Sequence, residues 1–151
     1  MARWVVGGVE LVDVDHVGVA VASLDTGAKA WATLGVAAGP AEEVPAARVR
    51  VAFLSVGDTR IELLEPLGDD SPVARFLERR GPGLHHIAFR VEELDGVLAR
   101  LDRAGVPLVD HRGRPGAHGT RVAFLHPSAL GGVLVELVEA ARKGTSEEVS
   151  E

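Results

Sequence analysis

The pentapeptide Arg50-Val51-Ala52-Phe53-Leu54 recurs letter for letter at Arg121-Val122-Ala123-Phe124-Leu125. A chain that carries one unit twice is constrained to build the same supersecondary structure twice and to bury the two copies against each other. Self-alignment extends the match. Residues 16–36 lie over 86–106, superposing His16 on His86, Leu24-Asp25 on Leu94-Asp95 and Gly35-Val36 on Gly105-Val106. Further on, Ile61-Glu62-Leu63-Leu64-Glu65 lies over Val135-Glu136-Leu137-Val138-Glu139.

Each copy has the same pattern. A β-branched strand (17–22, 86–91) runs into a helix that starts near Ser23 or Glu92, with Leu94, Val97, Leu98 and Leu101 spaced for one buried helical face. Gly35 and Gly105 sit where a helix C-terminus takes a left-handed residue. More strands follow: 48–55 and 59–65 joined by Gly57-Asp58, then 120–126 and 132–138 joined by HPSALGG. Between the copies, Ser71-Pro72 opens a short helix with Val73, Phe76 and Leu77 facing inward. The expected fold is therefore α+β: a single domain over 1–151 made of two βαβββ modules, about 11–66 and about 82–140, with loose ends at 1–10 and 141–151. One helical layer leaves the other face of each sheet open, so the two sheets are expected to join into one curved mixed sheet around a shared cavity.

The chain of 151 residues is 46% apolar, enough for a proper core without staples. It has no cysteine, which removes disulfides and thiolate metal sites; the cytoplasm is the expected compartment. The first residues lack a signal-peptide pattern and no run of 18 apolar residues suggests a membrane span. A net charge of −6 argues against a nucleic-acid partner, because phosphate binding needs a basic face.

His16 and His86 open the first strand of each copy, and Glu62 and Glu136 interrupt the apolar runs RIELLEP and GVLVELVE in the last. A carboxylate buried there without a partner would be costly, and a cation would relieve it. Two imidazoles and two carboxylates make a formally neutral site for a borderline or hard divalent ion, with coordination positions left for a bidentate ligand. Small neighbours at Gly18, Ala20 and Ala88 share the histidine face by strand alternation. The same alternation directs His85 to the opposite face, against a helix, and Glu65 and Glu139 away from Glu62 and Glu136, into surface or salt-bridge roles. His118 and His126 read as turn residues and His111 as surface.

The stretches DHVGVAV (15–21), VAFLSVGDTRIELLEPLGDDSPVARFLERRGPGLHHIAFRVEELD (51–95) and GAHGTRVAFLHPSALGGVLVELVEA (116–140) resemble the vicinal oxygen chelate superfamily, and within it the methylmalonyl-CoA epimerase family. The resemblance implies metal ligands at His16, Glu62 (Gln in some members), His86 and Glu136, holding cobalt, manganese, zinc or magnesium. It implies an acyl-CoA substrate, whose (2R) and (2S) epimers interconvert by α-proton removal through a metal-stabilised enolate, and a homodimer. Inversion needs proton carriers on both faces of the α-carbon, and Glu136 is the candidate for one. Other members place the second carboxylate or amide where this chain has Val51 or Ala46-Ala47, which leaves Glu43, or a metal-bound water, for the other. A glyoxalase-type isomerase, a metal-dependent transferase and a non-catalytic small-molecule binder of the same fold are the alternatives.

Overall fold

The computed structural model describes residues 8–141; the outer parts of both expected loose ends, 1–7 and 142–151, lie outside them. Strands run in the order β1 (Asp13–Ala20), β2 (Glu42–Val44), β3 (Val49–Val56), β4 (Thr59–Pro66), β5 (Gly83–Arg90), β6 (Arg114–Pro115), β7 (Arg121–Leu125) and β8 (Val135–Glu139), with helices α1 (Leu24–Ala32), α2 (Pro72–Arg80) and α3 (Leu94–Arg103) between them. All eight strands form one sheet, ordered β2-β3-β4-β1-β5-β8-β7-β6. Read from the β1/β5 seam outward, the two halves mirror each other. Each first strand pairs in parallel with its own last strand, β1 with β4 and β5 with β8, and the seam itself is antiparallel. The βαβββ duplication expected from the sequence is the architecture.

The helices form where the pattern places them. Ser23 caps α1 by accepting from the amide of Thr26, and Ser71 caps α2 by accepting from Val73, with Pro72 in the first turn, where its missing amide is no loss. Gly35 and Gly105 follow α1 and α3 at φ near +80°, closing the last turn onto Ala32 and Asp102. Leu94, Val97, Leu98 and Leu101 bury their shared face against Ala123, Leu125, Val135 and Leu137 on the convex side of the sheet, each full leucine burial contributing about 2 kcal/mol. Leu24 and Trp31 do the same for the first half against Val19, Leu54 and Leu63.

On the concave side the halves differ. Val44, Val49, Val51 and Leu64 build an aliphatic wall that α2 closes with Val73, while the second half offers only Ala88, Val122 and Val138. Among the described residues no helix is long and apolar enough to cross a membrane.

Candidate metal centre

His16, Glu62, His86 and Glu136 come from four adjacent strands, β1, β4, β5 and β8. In a flat sheet β4 and β8 would stand about 14 Å apart, at ~4.8 Å per strand step. The four ligand atoms nevertheless lie within 4.8 Å of one another, so the sheet curls around them. All four residues are buried.

Packing explains how they fit. In the ladder Gly18 faces His86 and Ala88 faces His16. A Cβ on Gly18 would overlap Cε1 and Nδ1 of His86, so the glycine is the space the imidazole occupies. The repeated RVAFL segment supplies the other support: Phe53 meets the His16 ring edge-on at 5.8 Å between centroids, and Phe124 meets the His86 ring edge-on at 5.4 Å.

The distances suit a shared cation. His16 Nε2 stands 3.2 Å from Glu62 Oε1, 2.9 Å from Glu136 Oε1 and 3.1 Å from His86 Nε2. His86 Nε2 stands 3.5 Å and 3.4 Å from the same two carboxylate oxygens. Ligands held about 2.1 Å from one ion are about 3.0 to 3.4 Å apart, from octahedral to tetrahedral geometry. Glu136 Oε1 is buried and no donor is aligned on it for a hydrogen bond, although both imidazoles lie within ion-pair distance. Such an atom is expensive unless a cation faces it. The cluster fits a divalent metal site.

Its electrostatics point the same way. Burial opposes charge on His16, but Asp15, Glu136 and Glu62 outweigh it and push its pKa up to about 11. His86 is raised against its burial by Glu136 and Glu62. Burial opposes the ionised form of Glu136 too, yet the adjoining His16 and His86 imidazoles outweigh it and hold it down to about 2. Glu62 is lowered for the same reasons. The pocket selects for positive charge between two carboxylates, which a metal supplies once the imidazoles release their protons.

Glu62, His86 and Glu136 of the cluster line a cavity of about 80 Å³, walled by Val44, Val49, Val51, Leu64 and Val73 on one side and by Phe124 and Arg114 on the other. Glu43 does not join it. Strand β2 turns its neighbour Val44 into the wall, and alternation on this three-residue edge strand leaves Glu43 exposed, paired across the ladder with Arg50. Glu43, expected to serve the site, thus lies outside both the cluster and the residues lining the cavity.

His85 departs from expectation in the other direction. It packs edge-on against Phe76 of α2, as expected of a helix-facing residue, but it also lines the cavity. The ladder explains this: Gly18 pairs with His86 while Val19 pairs with Leu84, so His85 is the extra residue of a β-bulge and escapes alternation. Its Nδ1 lies 2.9 Å from Nδ1 of His86.

Glu65 and Glu139 are more than surface charges. Glu65 accepts from the first amide of α1, at Leu24, and Glu139 from the first amide of α3, at Leu94. Their equivalence in the repeat was the sequence signal for a shared task. His126 accepts from the amide of Ser128 in its turn, and His111 is exposed beside Asp102. His118 is an exposed loop residue stacked near Phe53, its backbone left-handed at φ 56°.

With this geometry in view, the glyoxalase/bleomycin resistance protein/dioxygenase superfamily model matches residues 15–124. The chain belongs to that superfamily. It is 42% identical over 127 residues to the ethylmalonyl-CoA/methylmalonyl-CoA epimerase of Cereibacter sphaeroides, covering 82% of this chain and 94% of the relative. The crystal structure of methylmalonyl-CoA epimerase from Mycobacterium tuberculosis superposes with a TM-score of 0.84 at 39% identity, over 89% of this chain and 92% of that one. A Streptomyces coelicolor methylmalonyl-CoA epimerase solved in complex with 2-nitronate-propionyl-CoA gives a TM-score of 0.82 at 35% identity, over 87% of this chain and 96% of that one.

Proposed function

We propose that this protein interconverts the (2R) and (2S) epimers of methylmalonyl-CoA, with a divalent ion held by His16, Glu62, His86 and Glu136. The observation that carries the reading is the buried cluster of His16, Glu62, His86 and Glu136, three of whose members line a cavity, in a chain about 40% identical to proteins named for this reaction. When bound, the ion supplies fixed positive charge to the oxygen that becomes negative as the α-proton leaves.

The chain's own residues do the rest. Glu136 lines both the cluster and the cavity, which places its carboxylate as the base for one face of the α-carbon. Arg114, lining the same cavity, suits an anionic acyl group. Val44, Val49, Val51 and Val73 exclude water from the α-carbon and leave space for its small alkyl substituent. Where the resemblance sets a second carboxylate there is Val51, which is 1% exposed. Pairing of two chains belongs to the same reading, supported by the exposed apolar side chains Leu11, Leu130 and Val133 around one hollow of the convex side.

The test is α-proton exchange. Protein incubated with methylmalonyl-CoA in deuterated water is expected to introduce label at the α-carbon far above the uncatalysed rate. Binding of the acyl-CoA with no label entry would replace this reading with that of a non-catalytic binder.

A further inference from the structure

We propose that Asp15 and His85 are the paired positioning residues of the metal centre, each accepting a hydrogen bond from Nδ1–H of the histidine that follows it and so turning that histidine's Nε2 toward the ion. The inference rests on reading the four-residue cluster as a metal site, and it adds two residues that no ligand set contains.

Asp15 and His85 occupy the same position in the two repeats, immediately before His16 and His86. Each is the extra residue of a β-bulge at the β1/β5 seam. Val14 pairs with Phe89 and His16 with Ala88, which leaves Asp15 unpaired on β1, as His85 is on β5. An unbulged strand would send the residue before a ligand to the opposite face; the bulge brings it round to the ligand's own side. Asp15 Oδ2 stands 2.7 Å from His16 Nδ1, and His85 Nδ1 stands 2.9 Å from His86 Nδ1.

Two ring nitrogens at that distance are bonded only when one carries hydrogen and the other a lone pair. If His86 offers Nε2 to the ion, its Nδ1 holds the hydrogen and His85 Nδ1 accepts it. His85 is itself fixed, edge-on at 4.9 Å between centroids from Phe76. Asp15 is fixed by Arg60, whose Nη2 donates to the same Oδ2 at 2.8 Å while its guanidinium lies 4.2 Å above the Phe53 ring. The two halves thus use the same backbone device with different acceptors, an anionic carboxylate in one and an imidazole in the other. Charge assistance makes the first bond the stronger.

The test is cobalt(II) titration of chelator-stripped full-length protein, followed by visible absorption and calorimetry. Wild type is expected to bind one ion per chain; no binding would defeat the metal reading and this inference with it. Given that binding, Asp15→Ala and His85→Ala are each expected to weaken it by about 10- to 100-fold, with Asp15→Ala the larger loss. His85→Asn places Oδ1 where Nδ1 was and is expected to recover affinity to within a few-fold of wild type. Wild-type affinity in folded His85→Ala would overturn the proposal while leaving the metal site intact. Long-range ¹H–¹⁵N spectra of the zinc-loaded wild type identify the tautomers directly and need no variant to fold: His16 and His86 should both appear as Nδ1–H rings bound through Nε2, and Nδ1 ligation of either would contradict the assignment.

Discussion

The two halves of the sheet agree at the four-residue cluster and diverge in the walls around it. His16 and His86, Glu62 and Glu136, Phe53 and Phe124, and the helix-capping pair Glu65 and Glu139 occupy matched places. Around them, the first half carries the aliphatic wall and α2, and the second carries Phe124 and Arg114. Gly18 is matched by Ala88 and Asp15 by His85. A duplicated scaffold delivers a near-symmetric ligand set, but the proposed substrate, with a carboxylate at one end and a thioester at the other, needs unlike walls. Divergence falls on the walls and on the residues beside the two histidines.

The contrast between the halves is sharpest at the two glutamates. Glu136→Gln removes the proposed base, and label exchange should fall by about 10³-fold, within the usual range for a positioned proton carrier. Glu62→Gln keeps an oxygen ligand, as in those family members that carry Gln there, and should cost about tenfold or less. Equal losses, read from the same nuclear magnetic resonance assay in deuterated water, would show that the halves share the chemistry.

Gly18 and Ala88 separate the halves next. Gly18→Ala forces its new methyl into the His86 ring and should destabilise the fold by about 2 kcal/mol, with loss of metal binding. Ala88→Gly leaves the cluster alone and should cost about 1 kcal/mol in backbone freedom. Denaturant unfolding of the two variants checks the contrast, and similar values for both would break it.

Proton linkage gives a smaller effect. His16 has a folded pKa of about 11 in the metal-free protein, above its unfolded value, so the stability it contributes is complete below about pH 6.5 and is lost as pH rises toward 11. Glu136 has a folded pKa of about 2, below its unfolded value; its contribution is present above about pH 4.5 and disappears as pH falls through 2. Metal must displace the imidazole proton, so cobalt affinity should rise between pH 6 and 8 with net proton release, measurable by calorimetry in buffers of different ionisation enthalpy. Affinity independent of pH would contradict this account of the cluster's charge.

The smallest expected effect sharpens the symmetry. Glu65→Ala and Glu139→Ala each remove the acceptor for a first helical amide and should lower stability by similar amounts, about 1 kcal/mol, in thermal unfolding. Unequal losses would show that one helix leans on its cap more than the other.

The repeat makes most of this legible from the chain alone. Matching His16 to His86 and Glu62 to Glu136 identifies both the sheet and the cluster, because pattern and spacing carry strand faces well. What escapes is whatever alternation cannot express. A bulge shifts one residue without changing composition, so alternation sends His85 away from the cluster, when the ladder turns it toward His86. The caps at Leu24 and Leu94 are formed by glutamates 41 and 45 residues further along the chain, beyond any local signal. Glu43 stands on a three-residue edge strand, too short for its facing to be read from pattern, and the ladder leaves it outside.

Anomalous diffraction from crystals grown with cobalt tests the central claim most directly. One ion per chain is expected, ligated by Nε2 of His16 and of His86 and by a carboxylate oxygen from each of Glu62 and Glu136. A protein that refuses the ion, or holds it away from those four side chains, would contradict the claim that the two repeats exist to share one metal.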